Sequence, residues 1–288
     1  MSEEMRLIIV SGLSGSGKSV ALHVLEDLGY YCIDNLPAAL MKSVVDEVSF
    51  GAEQKGNRLA VGIDARNRRQ DLESLPSLIN EFRQQNIQTD VLFVQADDEV
   101  LLKRYGQTRR RHPLAEHGAA LRAAINEERE ILSEVINSAD LIIDTSRTSI
   151  YQLADVIRER VDKRISKSLS VLIESFGFKN GIPADADFVF DMRCLPNPYW
   201  KQKLRQLTGL DEEVTEFLGA LDSVTEMHAD ILAFLERWIP EYRKAQRGYL
   251  TVAIGCTGGQ HRSVYMAEKL AASLRDGHDT VLTRHNEL

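Results

Sequence analysis

Eight residues, Gly12-Leu13-Ser14-Gly15-Ser16-Gly17-Lys18-Ser19, have the types and spacing of a phosphate cradle. Glycine at the first, fourth and sixth places lets backbone N–H groups converge on one anion without an intervening Cβ. Lys18 supplies a point charge for β- and γ-phosphates, and the Ser19 hydroxyl is placed to ligate a phosphate-bound Mg²⁺. The flanks agree with that chemistry: Leu7-Ile8-Ile9-Val10 reads as a strand, and the run from Val20 to Leu25 reads as a helix. The N-terminus of such a helix stabilises an anion by a few tenths to about 1 kcal/mol. The stretch predicts a nucleoside triphosphate site.

Two carboxylates compete to assist it. Asp34 follows the short apolar run 30–33, and Asp64 closes the run Leu59-Ala60-Val61-Gly62-Ile63. A carboxylate at the carboxyl end of a parallel strand points into the ligand crevice of an α/β sheet, so either can hold Mg²⁺, directly or through water. The bland alternative for each is a cap on the next helix. Lys18 and Asp64 are the candidates for NTP hydrolysis, with no catalytic residue firmly assigned. Downstream, Arg104 and then Arg109, Arg110 and Arg111 precede His112-Pro113, a run resembling the arginine-rich lid of P-loop kinases; a solvated helix end is the other reading.

A second constellation lies far along the chain, at Cys256-Thr257-Gly258-Gly259-Gln260-His261-Arg262-Ser263. It follows the strand-like run 249–254 and opens a helix over 264–275. Strand, glycine loop and helix again make an anion cradle, with Arg262 as a charge-assisted clamp. The Cys-x5-Arg spacing also matches cysteine-dependent phosphatases, in which helix and arginine lower the thiol pKa. The expected phosphate or metabolite ligands are Thr257, Gly258, Gly259, His261 and Arg262.

The elements that position these residues alternate. Strand-like runs at 91–96 and 141–145 and an amphipathic helix over 150–164 complete a first half of strands separated by helices, which implies a parallel sheet with helices on both faces. A charged, weakly apolar stretch over 160–170 marks a boundary, giving a P-loop nucleotide-binding domain over 1–165 and a smaller C-terminal α/β domain over 166–288. In the latter, strands are expected at 171–176 and 188–191, helices at 211–221 and 224–243, and an irregular Arg193-Cys194-Leu195-Pro196-Asn197-Pro198 segment whose Arg193 is a further ligand candidate.

The 288 residues suit two domains better than one core. No apolar run approaches the ~20 residues of a membrane span. The three cysteines, Cys32, Cys194 and Cys256, share no metal-ligand spacing, and the acidic start of the chain is unlike a signal peptide; both point to the cytoplasm. A net charge of −8 argues against broad nucleic-acid binding, and residues 166–288 remain acidic on their own, with 14 Lys+Arg against 17 Asp+Glu. Any RNA contact must come from a local patch.

Several segments together resemble the YvcJ/RapZ family of nucleotide-binding proteins: the P-loop, Asp34-Asn35-Leu36-Pro37, Asp64-Ala65-Arg66-Asn67, Glu174-Ser175-Phe176-Gly177-Phe178-Lys179, Leu195-Pro196-Asn197-Pro198 and Ala253-Ile254-Gly255-Cys256-Thr257-Gly258-Gly259. The resemblance spans nearly the whole chain. It implies a kinase-like N-terminal domain that binds ATP at Gly12 to Ser19 and GTP at Asp64, Ala65, Arg66 and Asn67, with weak hydrolysis of both. It further implies a C-terminal domain that binds small regulatory RNA, presents it to RNase E for cleavage and senses glucosamine-6-phosphate, so tuning synthesis of that metabolite, in a homotetramer. RNA-binding members of the family carry a basic tail where this sequence reads Arg284-His285-Asn286-Glu287-Leu288. The basic candidates are therefore Lys201, Lys203, Arg205, Arg243, Lys244, Arg247 and Arg284. Three other readings compete: a small-molecule kinase using Lys18, the arginine lid and Asp34 as base, a nucleotide-dependent metabolite sensor acting on a protein partner, and a phosphatase built on Cys256.

Overall fold

The computed structural model describes residues 5–50, 57–108, 111–115, 121–162, 169–245, 247–278 and 280–288. The chain forms two compact units, Met1–Asp162 and Lys163–Leu288. Among the described residues of the first, β1 (Arg6–Gly12), β2 (Tyr31–Ile33), β3 (Arg58–Gly62), β4 (Gln88–Gln95) and β5 (Leu141–Asp144) pair in parallel in the order β2-β3-β1-β4-β5. Leu7, Ile8, Ile9 and Val10 are all buried, which is why β1 reads as an unbroken apolar run rather than an alternating one: both faces of a central parallel strand are covered.

The flanking helices are α1 (Lys18–Asp27), α2 (Met41–Phe50), α3 (Arg69–Gln84), α4 (Asp98–Thr108), α5 (Leu121–Ile131), α6 (Ser133–Asn137) and α7 (Ile150–Ile157). The chain leaves β1 for one side of the sheet and, after β3, crosses to β4 on the other. The carboxyl ends of β1 and β3 therefore flank the point where connections diverge, the crevice in which open α/β sheets bind ligands. The expected helix over 150–164 is shorter than its periodicity implies. Ser149 and Gln152 form a reciprocal capping box at its start, α7 ends at Ile157, and residues 158–162 continue in a wider, π-type turn.

In the second unit β6 (Ser170–Gly177), β7 (Phe188–Asp191), β8 (Tyr249–Cys256) and β9 (Val281–His285) are parallel in the order β7-β8-β6-β9. They carry α8 (Glu212–Gly219), α9 (Asp222–Lys244) and α10 (Arg262–Arg275). The apolar faces of α9 (Val224, Ile231, Leu235, Ile239) and α10 (Met266, Ala267, Leu270, Leu274) join Val171, Ile173, Leu250, Val252 and Ile254 in one buried cluster. Here too the crossover from β8 to β9 passes β6, so the loops after β6 and β8 meet at the carboxyl edge. Among the described residues no helix is long and apolar enough to cross a membrane.

Candidate functional site

The P-loop connects β1 to α1, and its first glycine is sterically required. A Cβ on Gly12 would lie 2.2 Å from the Val94 carbonyl oxygen of β4. Ser16 is buried and donates its hydroxyl to that carbonyl at 2.8 Å, while Leu13 packs in the core. Gly15 and Ser19 are exposed at the mouth. Arg104 of α4 fastens the loop from outside: its guanidinium reaches the carbonyl of Gly15 (3.0 Å) and both the hydroxyl (3.0 Å) and carbonyl (2.7 Å) of Thr145. Thr145 in turn donates to the Ser16 carbonyl at 2.6 Å. Arg104 thus holds the loop rather than a lid. Of the remaining lid candidates, Arg109 and Arg110 lie outside the described residues and Arg111 is exposed.

Lys18 bridges both candidate carboxylates, at 2.8 Å from Asp64 and 3.2 Å from Asp34. They differ in environment: the Asp64 side chain is 7% exposed and that of Asp34 50%. Arg66 adds bonds to both Asp64 oxygens, the shortest 2.6 Å, and donates its amide at 3.0 Å. Burial alone pushes the Asp64 carboxyl up, but the hydrogen bonds from Arg66 and Lys18 outweigh it and hold the pKa at about 2. Asn67 is structural in this state. Its side chain accepts from the Ala38 amide and donates to the carbonyls of Leu36 and Asp64, which knits the Asp34–Pro37 segment to the Asp64–Asn67 segment. Ala65 faces the core. Of the four residues expected to bind GTP, Asp64 therefore pairs with the P-loop lysine, and Arg66 pairs with Asp64.

Backbone amides at a helix start, an ammonium and an exposed hydroxyl form a donor set that fits a nucleotide polyphosphate with Mg²⁺. Among the described residues no cluster of three or more His, Cys, Asp or Glu side chains could hold a metal by itself. Mg²⁺ would come with the phosphates, met by Ser19 and by Asp34 or Asp64.

One P-loop partner has no signal in the sequence. The amide and hydroxyl of Ser14 both donate to Glu128 of α5, at 2.8 and 2.6 Å, across 114 positions of chain. Glu128 also contacts His112 at 3.1 Å, and neither side chain is exposed to solvent.

The second cradle opens at the end of β8. The Cys256 sulfur accepts from the Gly259 amide (3.2 Å) and lies 3.1 Å from the Ser263 hydroxyl. Burial pushes this thiol up; the bonds from Ser263 and Gly259 and the nearby Arg262 bring it below its ordinary value. Arg262 is buried. Its Nη1 donates to the carbonyls of Arg193 (3.1 Å) and Leu195 (2.8 Å), and its Nη2 reaches the Thr257 hydroxyl at 3.5 Å. Among the described residues Nε has no partner, which leaves it for a ligand beside the Nη2–Thr257 contact. Thr257 is exposed, and a Cβ on Gly258 would meet nothing within 4 Å. Gly259, at φ +73°, is wedged: a Cβ there would lie 2.3 Å from Glu287 Cγ and 2.7 Å from the Gly177 nitrogen. His261 is buried and bonds the Leu204 carbonyl at 3.0 Å, an anchor for the loop rather than part of its open face. Arg193 pairs with Asp191 at 2.7 Å and stacks 3.8 Å over Phe178, so it is engaged by its own neighbours.

The seven basic candidates are distributed over different elements. Lys201 lies 3.9 Å over the Phe217 ring and Arg205 4.7 Å over Tyr199, beside Trp200, which is 77% exposed. Lys201 and Lys203 line an open depression with Glu213 and Glu216. At the end of α9, Arg243 contacts His278 and Lys244 contacts Glu241, while Arg247 beyond it contacts Asp187. Arg284 on β9 pairs with buried Glu174.

A family model described as the RapZ-like N-terminal domain matches residues 5–164, and one described as the RapZ C-terminal domain matches residues 169–288. A nucleotide-binding protein of Alkalilimnicola ehrlichii is 52% identical over 286 residues, covering 99% of both chains. A nucleotide-binding protein of Ectopseudomonas mendocina is 50% identical over 284 residues, covering 99% of this chain and 100% of its own. Among solved structures, shikimate kinase from Acinetobacter baumannii in complex with shikimate is similar at 20% identity and TM-score 0.35, over 55% of this chain and 93% of that one.

Proposed function

The chain belongs to the RapZ family of nucleotide-binding proteins, and from that premise we propose that it is a regulatory adapter rather than a metabolic enzyme. In this reading the first unit binds ATP or GTP with Mg²⁺ and hydrolyses it slowly. The second unit binds a small regulatory RNA and a sugar phosphate, glucosamine-6-phosphate, and delivers the RNA to RNase E from a homotetramer. The observation that supports it most is the pairing of Lys18 with both Asp64 and Asp34. An incoming polyphosphate must displace two carboxylates from the lysine, an arrangement suited to a nucleotide that switches the protein between states. For the second unit, support comes from the Nε of buried Arg262, unpartnered among the described residues, beside exposed Thr257 and open Gly258, a cradle for one phosphate group.

The test is binding of a structured small RNA to the full chain across a salt titration, with and without glucosamine-6-phosphate and nucleotide. Binding that weakens on adding the sugar phosphate, and that loses this response in Arg262→Ala, supports the adapter. Absence of RNA binding near physiological salt overturns its RNA arm. A second reading, a small-molecule kinase, draws on the half-exposed Asp34 carboxylate beside Lys18, the place of a general base for an acceptor hydroxyl. It requires stoichiometric phosphate transfer from ATP to an added metabolite, where the adapter gives only slow hydrolysis.

A further inference from the structure

We infer that Glu128 is a specificity-determining residue of the P-loop: its buried carboxylate, hydrogen-bonded to Ser14, sets a fixed negative charge against the phosphate cradle and biases the site toward nucleoside diphosphates over triphosphates. The inference rests on the nucleotide-binding reading of the first unit and deepens it.

The geometry leaves little freedom. Glu128 Oε1 accepts the Ser14 hydroxyl at 2.6 Å, and Oε2 accepts both the Ser14 amide at 2.8 Å and His112 Nε2 at 3.1 Å. The tautomer of His112 follows from its other nitrogen: Nδ1 accepts the Leu114 amide at 3.2 Å, so the ring proton sits on Nε2 and points at the carboxylate. Three donors, none of which need carry a charge, therefore satisfy an anion that is 0% exposed. Such an environment holds the carboxylate in place by hydrogen bonds alone. Arg66 is a cation near enough to feel it, but its guanidinium is bonded to Asp64.

Two roles fall away on the same facts. With every face covered, Glu128 has no access to a water molecule, so it does not act as a base for hydrolysis. Because the Ser14 amide already has an acceptor, it is not available to a phosphate oxygen while the contact lasts. The third residue of an eight-residue phosphate loop is thus held on the protein's own anion. A charge in hydrogen-bond contact with the cradle opposes each added phosphate charge, and a triphosphate brings more of them than a diphosphate. The effect is weakly screened by salt because the charge is buried.

Glu128→Gln tests this, since the amide keeps the size and retains an acceptor for Ser14 while removing the charge. Binding of ADP and ATP with Mg²⁺ to the full chain is measured by calorimetry for wild type, Glu128→Gln and Ser14→Ala, with thermal unfolding as a control. Wild type is expected to bind ADP at least as tightly as ATP. Glu128→Gln is expected to shift the ratio toward ATP by about tenfold. Ser14→Ala, which deletes one donor but keeps the charge, is expected to leave the ratio within about twofold while weakening both ligands. A wild type preferring ATP tenfold or more overturns the inference even where Glu128→Gln does not fold. So does a folded Glu128→Gln whose ratio is unchanged. Either result leaves nucleotide binding standing; only a wild type that binds neither nucleotide removes both.

Discussion

Asp64→Asn should cost the first unit about 2 kcal/mol at neutral pH and nothing at low pH. The magnitude follows from the carboxyl, held at about 2 in the fold against an ordinary value of 3.8. At about 1.4 kcal/mol per unit, the difference corresponds to roughly 2 kcal/mol of preferential stabilisation of the charged form. The side chain is 7% exposed, so little of this is lost to solvent screening. A pKa depressed by folding stabilises above the unfolded value, and the contribution disappears as pH falls through the folded one. Wild type should therefore exceed Asp64→Asn by its full margin above about pH 5, by about half of it near pH 3, and by nothing once both pKa values are passed.

The assay is urea unfolding of both proteins at pH 7, 5, 4 and 3, followed by far-ultraviolet circular dichroism. Tryptophan emission will not serve, because Trp200 and Trp238 both lie in the second unit. Two transitions are expected, one per unit, and only one should move with the substitution. Parallel stability curves for wild type and variant from pH 7 to 3 would refute the argument. That result would mean that Lys18 and Arg66 gain no more from the ionised Asp64 in the fold than solvent gives it in the unfolded chain.

Two further outcomes follow from the cradles. Gly12→Ala should lower the stability of the first unit by about 1–3 kcal/mol and abolish nucleotide binding, since the new methyl meets the Val94 carbonyl at 2.2 Å; thermal melts with and without ATP·Mg²⁺ check it. Arg262→Ala should lower both stability and sugar-phosphate affinity, because its guanidinium ties down the Arg193 and Leu195 carbonyls as well as offering an edge to the ligand, whereas Cys256→Ser should leave affinity within about threefold; calorimetric titration of both variants decides, and abolition of phosphoester hydrolysis by Cys256→Ser would favour the phosphatase chemistry instead.

The fold was legible where local pattern and long-range structure coincide. The central strands β1, β4, β6 and β8 are buried on both faces, so their apolar runs stand out in the sequence, and each glycine loop announces the helix that follows it. The helices α3 and α5 are not among the elements expected from the sequence. α3 carries Pro76 in its middle, which removes a backbone donor and interrupts the local signal, yet Leu72, Leu75, Ile79 and Phe82 keep one buried stripe and tertiary packing completes the helix. Five of the eleven residues of α5 are charged, and its buried residues are only Ala124, Ile125 and Glu128. The site divides in the same way. Loop chemistry is written in consecutive residues, while the contacts that position it join Ser14 to Glu128, Gly15 to Arg104 and Asp64 to Lys18, pairs that no local window contains.

The two cradles also share a property that motif reading does not convey. In each, the cation expected to meet a phosphate is already engaged: Lys18 by two carboxylates, Arg262 by two backbone carbonyls. The consequences differ because the acceptors differ. Lys18 must leave charged partners, so its transfer to a phosphate exchanges one ion pair for another and releases Asp64 and Asp34 to the metal or to solvent; the net gain is small, and the rearrangement of the Asp34–Pro37 and Asp64–Asn67 segments is the event that ligand binding can transmit. Arg262 need not leave its carbonyls, since Nη1 holds them while Nε and Nη2 face the loop. On the proposed reading, the first cradle changes state on binding, and the second binds with its backbone already in place.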